Sequence, residues 1–260
     1  MKKLLFAIIL FPSLIYSQYA ASVFVTLNDG MEDEYLQIEK LWSEYHKEAI
    51  KKGHKNSWSV WKVNPTGYDD KIEKSRIPDF MIVETFDTEE QMNEEFARYN
   101  EKGLAEIRSL IKKKVKGKMS SSRVNKILSL NVDKERRGYI HQGIAGTPFT
   151  GGGLKPGDKM QITPMEQLQD DYEKFETEFW QKIFLDNVMK GNHRWWGFTK
   201  IIARSDNALK FNTHAAWNIG IQGKQLEIPQ DFVSQKIIEL TGNARKMYNT
   251  TTLELVYREE

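Results

Sequence analysis

The string Gly53-His54-Lys55-Asn56-Ser57-Trp58-Ser59-Val60-Trp61-Lys62-Val63 returns 138 residues later as Gly191-Asn192-His193-Arg194-Trp195-Trp196-Gly197-Phe198-Thr199-Lys200-Ile201. Gly53/Gly191, Trp58/Trp196 and Lys62/Lys200 coincide without a gap, and Trp42 and Trp180 fall in the same register. Residues 22–63 set against 160–201 give six identities, too few for identity alone to establish a repeat. The order of predicted elements around the two strings carries the reading instead. A chain of 260 residues has room for two similar units of ordinary domain size.

Residues 22–27 are β-branched and aromatic and stop at Asn28-Asp29-Gly30, which predicts a first strand. Tyr35, Ile38, Trp42, Tyr45 and Ala49 step by three and four, the spacing of one helix face, over about 33–52. Gly53 then stands where a left-handed helix cap belongs. Residues 58–63 and 80–83 read as strands with large apolar groups on both faces, Trp58 and Val60 on one side, Trp61 and Val63 on the other. Thr88-Glu89-Glu90-Gln91 is a capping box that opens a second helix, bent at Gly103. A strand at 138–144 completes the unit. After the Gly- and Pro-rich stretch 146–158, the same order recurs: strand, helix ended by Gly191, two strands, helix and a last strand at 251–257. Each half reads βαββαβ, the ferredoxin-like plan. The expected division is 1–17, 18–145, 146–158 and 159–260.

Residues 1–17 read as a secretory signal peptide: Met1-Lys2-Lys3, an apolar run at 4–11, then Pro12 to a small residue at Ser17, the preferred cleavage point. The run is much shorter than the roughly 20 residues a membrane span needs. The mature chain is therefore expected in a periplasm or outside the cell, with no stable membrane insertion. Cysteine is absent, which excludes disulfides, thiol catalysis and thiolate metal sites. Lys plus Arg is 38 against 36 for Asp plus Glu, a balance that gives no reason to expect nucleic acid as a partner. The lysine run at 112–118 reads as a solvated helix end that complements the helix dipole.

With these elements in place, the chain resembles the dimeric α/β-barrel superfamily over about residues 19–100 and 158–258. The resemblance rests on the pattern of elements and the paired tryptophans. It implies an α+β fold in which two ferredoxin-like units pack their antiparallel sheets together, with helices on one face of each sheet. Trp58, Trp61, Trp196 and Phe198 would then need no solvent-facing side. The superfamily includes heme-degrading monooxygenases, cofactor-free quinone-forming monooxygenases, heme-dependent peroxidases, chlorite-degrading enzymes and stress-responsive proteins. None of their catalytic motifs maps residue by residue onto this chain.

Five histidines are present, with no pair at helical spacing and no His-Glu-x-x-His pattern, so no metal site is expected. His141 and His214 fall on predicted strands and His46 adjoins the first helix face; these are the catalytic candidates. If the odd residues of 139–141 face the barrel, Tyr139 and His141 enter one cavity. Trp58, Trp61, Trp196 and Trp217 are the other candidate walls, suited to an apolar or aromatic small molecule. The function expected is binding of such a molecule in a barrel cavity, with monooxygenase-like turnover and heme as expectations drawn from the resemblance. The alternative is a non-catalytic exported protein, structural or stress-related, whose aromatics fill its core.

Overall fold

The first helix shows why the chain folds locally as it does. A computed structural model describes residues 18–64 and 76–260; the expected signal peptide and most of the polar segment after the second strand lie outside them. Helix α1 (Glu32–Lys51) carries Glu32, Asp33 and Glu34 in its first turn and Lys51 in its last, matching the dipole at both ends. It buries Tyr35, Ile38, Leu41, Tyr45 and Ala49. Its end is a Schellman motif: Gly53 N donates to Ile50 O at 2.9 Å and His54 N to Ala49 O at 2.9 Å. The same two bonds close the helix before Gly191, from Gly191 N to Val188 O and from Asn192 N to Asn187 O. Both glycines have φ of 72°, where a side chain is strained.

Strand β1 (Tyr19–Leu27) precedes α1, and β2 (Ser57–Asn64) and β3 (Phe80–Phe86) follow it. The second helical region is broken rather than bent. Helix α2 (Glu89–Ala97) stops, and α3 (Glu101–Lys114) starts again on an Asn100 cap that accepts from Gly103 N. A Cβ on Gly103 would stand 1.9 Å from Arg98 O, so the break requires glycine there. Thr88 caps α2 as expected, but Gln91 Oε1 reaches one residue further back, to Asp87 N. Helix α4 (Ser121–Leu128) and the long strand β4 (Asp133–Gly146) end this half.

Strand β5 (Lys159–Gln167) opens the second half. Its helix is α5 (Tyr172–Lys174), a π-helical turn (Phe175–Trp180) and α6 (Gln181–Met189) in succession. Then come β6 (His193–Arg204), β7 (His214–Gly220), α7 (Phe232–Ala244), the short β8 (Arg245–Met247) and β9 (Thr251–Glu259). The segment between β4 and β5 is fastened along β6: Thr147 N donates to Trp196 O, Thr150 N to Arg194 O, and Arg194 pairs with Asp158.

Among the described residues all strand pairings are antiparallel, in the order β7-β6-β4-β1-β3-β2-β9-β5, with β5 returning to β7 and β8 appended to β5. Eight strands therefore close on themselves, which removes the sheet edges. Within this ring β4-β1-β3-β2 and β9-β5-β7-β6 have the same internal order, and they meet at β4–β6 and β2–β9.

Alternation along the strands divides the core into layers. Trp58, Val60, Phe80 and Ile82 face outward under α1, α3 and α4. Trp61, Val63, Met81, Leu253 and Trp217 face inward and pack across the barrel. Trp196, Phe198 and Tyr172 form the outer layer of the second half. Trp58, Trp61, Trp196 and Phe198 are at most 2% exposed, so both faces of these strands are dry. Among the described residues no helix is long and apolar enough to cross a membrane.

Candidate functional site

The candidate site lies between the helices of the first half and the outer face of its sheet. Positions 39, 42 and 46 fall on one side of α1 at helical spacing, and Glu39, Trp42 and His46 border a cavity of about 630 Å³ there. Trp58 and Glu84, cross-strand neighbours on β2 and β3, form part of its floor. Phe96, Tyr99 and Leu104 close it from the broken helical region. Gly138 on β4 contributes no side chain, and Arg136 and Arg204 stand at its border.

Behind this wall is a buried charge cluster. Lys55, with a fully buried side chain, places Nζ 2.6 Å from Glu84 Oε1, 2.8 Å from Glu95 Oε1, 3.0 Å from Tyr99 Oη and 3.2 Å from His46 Nδ1. Tyr45 Oη donates to Glu95 Oε1 at 2.7 Å. Two carboxylates buried on one ammonium are tolerable only because several hydrogen bonds share the charge. His46 stacks on Trp58 with ring centroids 4.5 Å apart. Burial, and then the nearby Lys55 charge, hold its pKa well below 6.5, so it is neutral. Burial pushes the Tyr45 and Tyr99 hydroxyls up, keeping them protonated donors.

Glu39 is the group most altered by this environment. It is 3% exposed, and burial raises its pKa from 4.5 to about 7, against the opposing pull of Arg136. A carboxyl poised near neutrality in an aromatic-walled cavity can take a proton from a bound molecule and return it.

The two halves differ at this position. The residues 138 on from His46 and Lys55 are Phe184 and His193, and the cross-strand neighbour of Trp196 is Asn218 where Trp58 has Glu84. Phe184 stacks on Trp196 at 5.0 Å as His46 stacks on Trp58. The stack is common to both halves, whereas the Lys–Glu–His chemistry belongs to the first.

The structure distributes the sequence-selected residues over three places. His46 and Trp58 share the outer cavity of the first half. Tyr139 and His141 both point to the barrel interior, with rings 6.3 Å apart, and border a second cavity; Tyr139 touches the rim of the first as well. Trp61 and Trp217 are interior packing, and Trp217 Nε1 donates to Thr199 Oγ1. Trp196 and His214 lie in the outer layer of the second half, on the far side of the sheet from His141. No single cavity gathers all eight, because strand neighbours alternate faces.

Glu39, Glu84, Glu95 and Lys55 were not selected from the sequence. Glu84 had a signal: it is the one charged residue in the otherwise apolar and hydroxyl-bearing strand Phe80–Phe86. Glu39, by contrast, sits among many charged positions on a helix that reads as amphipathic.

Heme can be tested against the imidazoles, since an axial ligand needs a nitrogen lone pair facing open space. Lys55 has only donors to offer, so His46 Nδ1 accepts and its proton lies on Nε2. His141 bonds Ser22 Oγ through Nε2 and Thr199 Oγ1 through Nδ1. His214 bonds Thr213 through Nδ1 and Glu173 through Nε2. His193 Nε2 is unpartnered, but that ring packs on Phe184 and borders neither cavity. His54 Nδ1 is also unpartnered, but it stands 3.9 Å from Glu95 Oε2 and borders neither cavity, so as arranged none of the five histidines offers an axial ligand to either cavity. Among the described residues no group of three or more His, Asp or Glu side chains is placed to hold a metal ion.

No family model matches the sequence, and no curated protein matches it. Among solved structures the chain is similar to a provisionally assigned monooxygenase from Lactobacillus acidophilus NCFM, with TM-score 0.52 and 13% identity over 92% of this chain and 94% of that one. An anthrone oxidase-like protein gives TM-score 0.48 and 10% identity over 93% and 92%. A provisionally assigned monooxygenase from Fusobacterium nucleatum gives 0.47 and 10% over 94% and 95%. At such identities the likeness is one of fold, and the fold is the ferredoxin-like dimeric α/β barrel.

Proposed function

We propose that the protein binds a small apolar or aromatic molecule in the outer cavity of its first half and that Glu39 acts there as proton acceptor. The observation that carries this reading is the Glu39 carboxyl, buried, with its pKa near 7, on the wall of an aromatic-lined cavity. The volume is in the usual range of roughly 300–1,000 Å³ for small-molecule pockets. The finer reading is monooxygenase-like, in keeping with the description of the Lactobacillus protein of similar fold. A substrate with a CH₂ between aromatic rings gives a proton to Glu39, and the carbanion supplies electrons to O₂. The sum is CH₂ plus O₂ to C=O plus H₂O, with every electron coming from the substrate.

The test is oxygen uptake with a tricyclic ketone bearing an activated CH₂, such as anthrone, beside tryptophan-fluorescence titration with the same compound. Saturable quenching and uptake that falls about 100-fold or more in Glu39→Gln are expected, the usual worth of a placed base. Saturable binding with uptake unchanged in Glu39→Gln removes the catalytic role, and absence of saturable binding removes the reading.

The same proposal includes export after cleavage at Ser17 and descent from two units, 18–145 and 159–260, joined by 146–158. The matched strand orders and the paired Schellman caps support the two-unit reading. N-terminal sequencing of the exported protein tests the first; a mature terminus at Met1 refutes it.

A further inference from the structure

We propose that the barrel interior is a second ligand site, taking a small molecule with an apolar body and one carboxylate seated on Arg137. A cavity of about 440 Å³ opens there, separate from the Glu39 cavity and on the other face of the sheet. Its walls are mostly apolar: Phe24, Tyr139, Ile162, Pro164 and Ala215. Phe24 and Tyr139 meet edge to face at 5.9 Å.

The polar groups on this wall are largely committed. Both nitrogens of His141 are bonded, and burial followed by the Arg204 charge lowers its pKa to about 3, so it presents a neutral ring. The Tyr139 hydroxyl accepts from Leu209 N at 3.0 Å. Arg137 is the exception. It is 5% exposed, one Nη2 bond goes to Arg76 O at 2.7 Å, and Nε has no hydrogen-bond partner. Glu135 Oε2 stands 3.7 Å from Nε, outside hydrogen-bond reach, and the same carboxylate also faces Arg76. Arg204 spends its donors on the Leu209 carbonyl and on Asn212. Among the described residues Arg137 and Arg76 therefore share the Glu135 carboxylate at this end of the barrel.

A buried, under-used guanidinium costs free energy that an entering carboxylate recovers, and water exclusion strengthens that bond. A single such head group beside apolar walls selects a monocarboxylate over a phosphate, which needs several converging donors. The mouth fits this chemistry. Phe211 and Tyr248 pair at 4.1 Å, Met247 is 54% exposed, and Lys246 adds a positive charge at the rim.

The experiment is calorimetric titration of the full mature chain with octanoate and with octan-1-ol, repeated on Arg137→Met and Glu39→Gln. Octanoate should bind saturably, at least about tenfold tighter than octanol, and Arg137→Met should remove about 10- to 100-fold of its affinity while sparing octanol. In case Arg137→Met does not fold, [1-¹³C]octanoate on the unaltered protein gives a second reading. Its bound carboxyl should stay ionised to lower pH than the free acid, and its chain protons should show NOEs to the Phe24 and Tyr139 rings. Octanol binding as tight as octanoate, a carboxyl that titrates as the free acid, or full affinity in Arg137→Met overturns the proposal. Affinity lost in Glu39→Gln alone overturns it too, by placing the ligand in the outer cavity. None of these outcomes bears on proton transfer by Glu39, so the two readings fail separately.

Discussion

Replacing Glu39 by glutamine should make the protein more stable at pH 8 and leave it little changed at pH 4. In the unfolded chain this carboxyl ionises near its ordinary value of 4.5, whereas in the folded protein burial holds the proton to about 7. Between those values folding takes up a proton, so stability falls as pH rises through the window and levels off above it. Below 4.5 both states carry the proton and the cost vanishes. At roughly 1.4 kcal/mol for each pH unit separating the two values, the ionised form costs about 3 kcal/mol above pH 7. Glutamine keeps the shape and cannot ionise. Urea unfolding of both proteins at pH 4, 6 and 8, followed by tryptophan fluorescence, measures the difference directly. Subtracting the two profiles also cancels the opposite slope of His141, whose lowered pKa of about 3 makes wild-type stability fall as pH drops below 6.5. A difference that does not grow with pH, or a glutamine variant less stable at pH 8, would refute the claim that burial sets the Glu39 pKa. The oxygen-uptake loss in the same variant would then have to be explained without a poised base.

Lys55→Met leaves Glu84 and Glu95 buried without their ammonium and should cost about 3–5 kcal/mol in chemical denaturation; adding Glu84→Gln should return part of it. Gly53→Ala and Gly191→Ala should each cost about 1 kcal/mol, and by similar amounts, since a Cβ meets nothing within 4 Å at either position and only the backbone strain remains. His141→Gln should hold more of its stability than wild type between pH 6.5 and 4, because the unfolded-state protonation that opposes folding is gone; equal acid slopes would count against a buried neutral His141. Hemin titration should give no Soret change that depends on His46 or His141, since neither ring offers a free lone pair; loss of such a change in either alanine variant would contradict that geometry.

The features of this protein that are local in sequence were readable from it. The helix face of α1, the Gly53 and Gly191 caps and the two-sided strand Ser57–Asn64 follow from spacing of 3.6 and 2 and from the left-handed tolerance of glycine. The parity of β4 likewise placed Tyr139 and His141 together on the inner side. The break at Arg98–Asn100 was displaced from its expected position at Gly103, because the close approach of Gly103 to the Arg98 carbonyl is visible only in three dimensions.

Closure decided the rest. Which tryptophan packs under a helix and which inside the barrel depends on strands that pair across the chain, β4 with β6 and β2 with β9. Lys55 meets Glu84, Glu95 and Tyr99 across 29 to 44 residues, a separation with no periodic trace in the sequence. The pKa of Glu39 is set by depth of burial, which belongs to the packed protein and to no residue alone. Sequence by itself determined the main strands and helices, the two glycine caps and their order, since those rest on short-range backbone and side-chain geometry. Only the tertiary structure decided where charge could be buried, and with it which half of the barrel carries the Lys55–Glu84–Glu95 cluster.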